Sequence, residues 1–193
     1  MKIKVLNIIG HPDKKSFNFS IHNVVKDTCK SNTDKFEYKY IDLHLDKFDP
    51  VIKLSESDQN KQLIESYKQR VAWADVIVIT SPNWWGRTTT ILEGFFDKIL
   101  EPGFAFKYNK IGPFTYNKPL LKNKKVITFL THDSSLLKNI ISLNLVKRRL
   151  NSVYLHCFGS SKIIQHWSMR NKKEIDKSII LEKVKLQLNK LSK

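Results

Sequence analysis

Three short apolar runs constrain this chain most. KIKVLNII (2–9), VIVIT (76–80) and VITFLT (126–131) are near-continuous rather than alternating, so each reads as a strand buried on both faces. Each ends abruptly in loop chemistry: Gly10-His11-Pro12-Asp13, Ser81-Pro82 and His132-Asp133-Ser134-Ser135. Helical periodicity fills the intervals. One helix begins around Ser16 to Asn18, either of which suits an N-cap, and runs to about Lys30. Another covers 61–73, with Leu63, Ile64, Tyr67 and Val71 on one stripe. A third covers 91–100 and is stopped by Pro102-Gly103; a fourth covers 136–151. The last is a lysine-rich amphipathic helix over 172–191, with Ile175, Ile179, Val184, Leu188 and Leu191 expected inward. FEYKYI (36–41) alternates and reads as a further strand, and 153–158 and 162–167 are two more β-like runs. Residues 43–58 read as an irregular connection broken at Asp49-Pro50, and 103–123 as a loop rich in aromatics. Strand–helix alternation implies a parallel sheet with helices on both faces, and a single domain over 1–193. Ligands of such sheets bind beyond the carboxyl ends of the strands. Loops 10–18, 81–89 and 131–135 are therefore expected to converge.

Composition narrows the function classes. With 41% hydrophobic residues, including 11 Phe, 6 Tyr and 4 Trp, the chain can bury a sizeable core. The net charge of +16 comes from lysines spread along the whole chain, which reads as a solvated basic surface. A nucleic-acid partner is not expected, because no aromatic-basic interleaving suggests a stacking platform. Cys29 and Cys157 are too few and too far apart for a disulfide framework, which points to a reducing compartment. With no signal-peptide architecture and no apolar run near the roughly 18 residues of a membrane span, a cytoplasmic protein is expected. His22, His44, His156 and His166 form no metal-ligand pattern, and no metal is expected.

Two loops carry candidate chemistry. In GHPDKKSFN (10–18), Ser16, Phe17 and Asn18 stand at the first turn of a helix, whose unpaired N–H groups and dipole suit a phosphate or are simply capped. The Ser16 hydroxyl, the Asn18 amide and His11 would add donors. The loop has neither G-x-G-x-x-G nor a Walker lysine. In Pro82-Asn83-Trp84-Trp85-Gly86, adjacent tryptophans on an extended chain point opposite ways, so at least one faces a planar ligand or a partner chain. Arg87-Thr88-Thr89-Thr90 would supply further donors. A Ser/His/Asp hydrolase is not expected: the nucleophile elbow G-x-S-x-G is missing, and Gly159-Ser160-Ser161 does not supply it.

HPDKKSFN (11–18) resembles the H-x₄-SFN phosphate loop of the flavodoxin-like NAD(P)H dehydrogenase (quinone) family, which includes bacterial quinone reductases and ancillary reductases of potassium-efflux systems. DLHLDKFDPVI (42–52) resembles that family's D-L-Y-x-x-x-F-D-P-V-I stretch, and LHCFG (155–159) a short late segment. Residues 73–106 resemble W-A-D-x-I-V-x-x-x-P-x-W-W-G-x-M-P-A-x-L-K-G-F-x-D-R-V-x-x-P-G-F-A-F. The resemblance implies a flavodoxin-like three-layer sandwich whose five-stranded parallel sheet has the order 2-1-3-4-5. It implies a flavin cofactor, FMN or FAD, and no catalytic side chain: hydride would pass from NAD(P)H to flavin N5 and on to a quinone, in a ping-pong cycle. His11, Ser16, Phe17 and Asn18 would hold the flavin phosphate. Pro82, Asn83, Trp84, Trp85 and Gly86 would lie along the ring, and Thr131, His132 and Asp133 at its other edge. Trp84, Phe106 and Tyr108 would line the substrate pocket, the last two reaching into a homodimer partner's site. A flavin-bearing regulatory subunit of a membrane transporter and a flavodoxin-type electron carrier are the alternatives. Two departures stand out. Thr88-Thr89-Thr90 replaces Met-Pro-Ala, which is expected to alter the entry into the next helix, and Asp133 would set a carboxylate near the flavin N1.

Overall fold

The computed structural model describes residues 1–133, 136–159 and 162–192. Ser134 and Ser135, which sequence reading assigned to a loop, and Ser160 and Ser161, considered above for a nucleophile elbow, lie outside the described residues. Strands β1 (Ile3–Ile9), β2 (Phe36–Asp42), β3 (Val76–Pro82), β6 (Lys125–His132) and β7 (Lys162–Ser168) form one sheet in the order β2-β1-β3-β6-β7, with every neighbouring pair parallel. Counting sheet strands alone, this is 2-1-3-4-5. β4 (Phe106–Ile111) and β5 (Phe114–Pro119) form a separate antiparallel hairpin.

Alternation along the strands divides the core in two. Leu6 and Ile8 of β1, Ile77 and Ile79 of β3, and Val126 and Leu130 of β6 enter one cluster. There they meet α2 (Asp58–Trp73), α3 (Thr90–Ile99) and α4 (Leu136–Phe158) through Tyr67, Phe95 and Tyr154. Val5, Val78, Ile127 and Phe129 enter the other, under α1 (Phe17–Lys30) and α5 (Glu174–Asn189). Both faces of β1, β3 and β6 are thus covered, which is why their sequences run nearly continuously apolar.

Three expectations need correction. Residues 153–158 are not a strand but the end of α4. Val146, Leu150, Tyr154, Cys157 and Phe158 are buried at helical spacing, so the aromatic and β-branched content there serves a helix face. Residues 103–123 are not all loop: Gly112, at φ 57°, and Pro113 join β4 to β5, and a glycine with positive φ first in a two-residue connection is a hairpin signal. Ile175 and Ile179 do not face inward. Ile180, Val184 and Leu188 take the buried stripe of α5, and Ile179 stands about 100° around the helix from Ile180. Of the two N-cap candidates for α1 the structure takes Ser16; Asn18 lies inside the first turn.

Candidate functional site at the carboxyl ends of the strands

The strand-end loops converge through three long-range hydrogen bonds. The Thr89 hydroxyl donates to the Gly10 carbonyl at 2.7 Å, tying the loop after β3 to the loop after β1. The Asn83 amide donates to the Thr131 carbonyl at 2.7 Å, tying it to the end of β6. The Thr131 hydroxyl donates to Asn18 Oδ1 at 3.1 Å, closing the circuit onto α1. Thr89, Thr131 and Asn18 are buried, so these bonds are shielded from water. Gly10 sits tightly in this junction: a Cβ there would meet Thr89 Oγ1 at 3.0 Å and Leu92 Cβ at 3.2 Å.

In the first loop Ser16 is extended and its Oγ accepts from the Phe19 amide at 3.4 Å, which leaves the hydroxyl proton to donate elsewhere. The amides of Phe17 and Asn18 precede that of Phe19, the first to donate to a helix carbonyl (that of Ser16), and are available by position. Exposed Lys14 and Lys15 add positive charge in front of that turn. The Asp13 amide lies 3.1 Å from His11 Nδ1. In the tautomer that accepts this bond, the ring proton sits on Nε2. The His11 ring lies 6.0 Å from that of Trp84, so the first two loops also meet through their rings.

The second loop is a two-residue turn rather than an extended run. The Trp84 amide donates to the Arg87 carbonyl at 2.8 Å, and the Arg87 amide to the Trp84 carbonyl at 3.2 Å. Trp85 and Gly86 at its tip both have positive φ, 56° and 78°, the pattern of a type I′ turn. A bulky residue in the left-handed region is an outlier that surrounding structure must enforce. Neither tryptophan is buried: Trp84 is 44% exposed and Trp85 97%. The extended-chain argument does not apply to a turn, and both rings are left accessible, Trp85 more than Trp84. Asn83 Oδ1 accepts from the Gly86 amide at 3.1 Å and braces the tip.

The threonine run does not serve as a set of ligand donors. Thr88 Oγ1 donates to Glu93 Oε1 at 2.6 Å and Thr89 Oγ1 to Gly10, while Thr90 is exposed. At the helix entry the backbone is one that a proline would also allow. Thr89 has φ −63° and ψ 148°, a φ that proline itself would hold.

Thr131 and His132 belong to the end of β6 and are buried; Asp133 follows and is exposed. Burial lowers the His132 pKa, opposed in part by the Asp133 charge, which favours a neutral imidazole. Its ring lies 6.3 Å from that of His166, and its carbonyl accepts from the Met169 amide at 2.7 Å. Phe106 and Tyr108 pack edge-to-face at 5.5 Å in the β4–β5 hairpin, outside the hydrogen-bonded cluster. Sequence reading missed Glu93 and Arg149. The Glu93 carboxylate receives Thr88 on one oxygen and the Arg149 guanidinium on the other. A single acidic residue in ILEGFF and an arginine in a distant helix gave no local signal of their meeting.

Residues 3–138 match the family described as having the flavodoxin-like fold. The chain belongs to that family. Among relatives, the flavodoxin-like chain is 30% identical over 136 residues to an uncharacterised NAD(P)H oxidoreductase of Haemophilus influenzae, covering 67% of this chain and 64% of the relative. It is 26% identical over 154 residues to NAD(P)H dehydrogenase [quinone] 1 of Cavia porcellus, covering 68% and 54%. The chain thus matches between about half and two thirds of these relatives' lengths. Among solved structures, the FMN-dependent NADH-azoreductase of Bacillus anthracis, in complex with FMN, superposes with a TM-score of 0.79 at 13% identity, covering 99% and 100% of the two chains. At that identity the likeness is one of fold. No described helix is long and apolar enough to cross a membrane.

Proposed function

We propose that this chain is a flavin-dependent NAD(P)H:quinone-type oxidoreductase acting on small-molecule acceptors. The observation that carries the reading is the hydrogen-bonded circuit that sets an anion-receptive helix start beside an exposed, strained aromatic turn. The donor set fits a phosphate-bearing planar group: two first-turn amides, the Ser16 hydroxyl and His11 at one end, and Trp84 with the backbone of Asn83–Gly86 at the other. The names of the Haemophilus influenzae and Cavia porcellus relatives, and the FMN of the Bacillus anthracis neighbour, support the same class.

In this reading Ser16, Phe17, Asn18 and His11 bind the phosphate of FMN or the pyrophosphate of FAD. Pro82, Asn83, Trp84, Trp85 and Gly86 orient the ring. Thr131 and His132 close its other edge with buried groups, while exposed Asp133 can keep its charge in water, away from the ring. Once bound, a flavin supplies two-electron transfer between a nicotinamide and a quinone in a ping-pong cycle. Trp84, Phe106 and Tyr108 shape the acceptor pocket, the last two from the partner copy of a homodimer.

The test is an absorbance spectrum of the purified protein between 300 and 500 nm, then anaerobic addition of NADH and of NADPH. Flavin bands that bleach with a nicotinamide and return with a quinone are expected. A colourless protein that neither FMN nor FAD reconstitutes overturns the reading.

A further inference from the structure

The aromatic turn closes on one peptide unit, that between Arg87 and Thr88. Its carbonyl accepts from the Trp84 amide at 2.8 Å. Its N–H, on Thr88, donates to Glu93 Oε1 at 3.0 Å. Rotating this peptide breaks both bonds, so whatever fixes the Glu93 carboxylate also fixes the plane on which the turn closes. The carboxylate is well fixed. Oε1 takes a second bond from the Thr88 hydroxyl at 2.6 Å, and Oε2 takes Arg149 Nε at 2.6 Å as well as the second guanidinium nitrogen. Glu93 and Thr88 are buried, and the first turn of α3 favours a negative charge there. Charge-assisted bonds of this kind are stronger and geometrically stricter than neutral ones.

We propose that Glu93 is a positioning residue of the flavin site: clamped by Arg149 of α4, it holds the Arg87–Thr88 peptide and so sets where Trp84 and Trp85 stand against the bound ring. The proposal rests on the reading that this turn lies along a flavin. It makes Arg149 of α4 a participant in ring placement through Glu93 rather than by touching the turn itself.

The test compares wild type with Glu93→Gln, Glu93→Ala and Thr88→Val. Two quantities are measured: the backbone amide resonances of Trp84, Trp85, Gly86 and Arg87 in ligand-free protein, and the affinity of that protein for FMN and FAD by fluorescence titration. Glu93→Ala is expected to displace the four turn resonances and weaken flavin binding about tenfold, the scale of one charge-assisted hydrogen bond. Glu93→Gln keeps an acceptor for the Thr88 amide but loses the ion pair, and is expected to fall between. Thr88→Val keeps the peptide's bond to Glu93 but removes one bond that fixes the carboxylate, and is expected to move the turn resonances less than Glu93→Ala does. Unmoved turn resonances, or unchanged flavin affinity in Glu93→Ala beside a lowered Tm, overturn the proposal, because the network then only stabilises the fold. If Glu93→Ala does not fold, Glu93→Gln decides by the same readings. A wild type that binds neither flavin overturns both the functional reading and this role, and displaced resonances would then show only that Glu93 shapes the turn.

Discussion

The Thr89 hydroxyl donates to the Gly10 carbonyl at 2.7 Å, so the start of α3 is bonded to the end of β1 across 79 positions of sequence. Thr89 is 2% exposed, and water cannot replace its hydroxyl at that carbonyl without opening the junction. Thr89→Val keeps the shape and removes the donor. It is expected to cost about 1–3 kcal/mol, the price of leaving a buried acceptor unmet. Urea unfolding with an unchanged m-value checks this, and a loss below about 0.5 kcal/mol, the level of an ordinary surface substitution, shows that the bond does not hold the loops together.

Trp85 occupies the left-handed region at φ 56° with its ring 97% exposed, so it contributes little packing to offset its backbone strain. Trp85→Gly relieves that strain and is expected to raise stability by about 1 kcal/mol. If the ring is there for a planar ligand, the same substitution weakens flavin or acceptor binding. A variant that gains no stability removes the strain argument; one that gains stability and binds as before removes the ligand argument.

The parallel core was legible because β1, β3 and β6 are covered on both faces, and an unbroken apolar run such as VIVIT has few other uses. The convergence of the three loops followed from topology, and Ser16, Thr131 and Asn83 lie in it. Residues 153–158 misled because a helix face that packs Tyr154, Cys157 and Phe158 has the same residue types as a strand. The hairpin was signalled by Gly112-Pro113 between Ile111 and Phe114, a turn cue outweighed by the polar residues around it. Glu93 and Arg149 could not be paired from sequence: 56 positions separate them, and only the packing of α4 beside α3 makes them meet.

The β4–β5 hairpin packs through Phe106 on the core and through β5 against α4, yet leaves Tyr108, Ile111, Phe114 and Tyr116 exposed, an apolar patch that a partner surface would cover. If it is a contact between two copies, Phe114→Glu is expected to shift the protein from dimer to monomer in sedimentation velocity, without loss of helical circular dichroism. A wild type that is monomeric at tens of micromolar excludes the contact.

His22 gives the last prediction a sign. It is buried on α1 with its ring against Phe19 and Tyr40, and its backbone carbonyl accepts from the Asn7 side chain. Burial, with a smaller push from the Lys26 charge, lowers its pKa from the ordinary 6.5 to about 4. The unfolded chain therefore takes up a proton at His22 before the folded one does. Its contribution to stability is whole above about pH 6.5 and is lost as pH falls toward 4, with a slope of at most about 1.4 kcal/mol per pH unit. Other groups titrate in the same window, so the quantity to measure is the difference between wild type and His22→Gln in urea unfolding from pH 7.5 to 4.5. The wild type is expected to lose the more stability of the two on acidification. Parallel curves would mean that the folded protein protonates His22 as readily as the unfolded chain does, and that the space beneath α1 admits the charge.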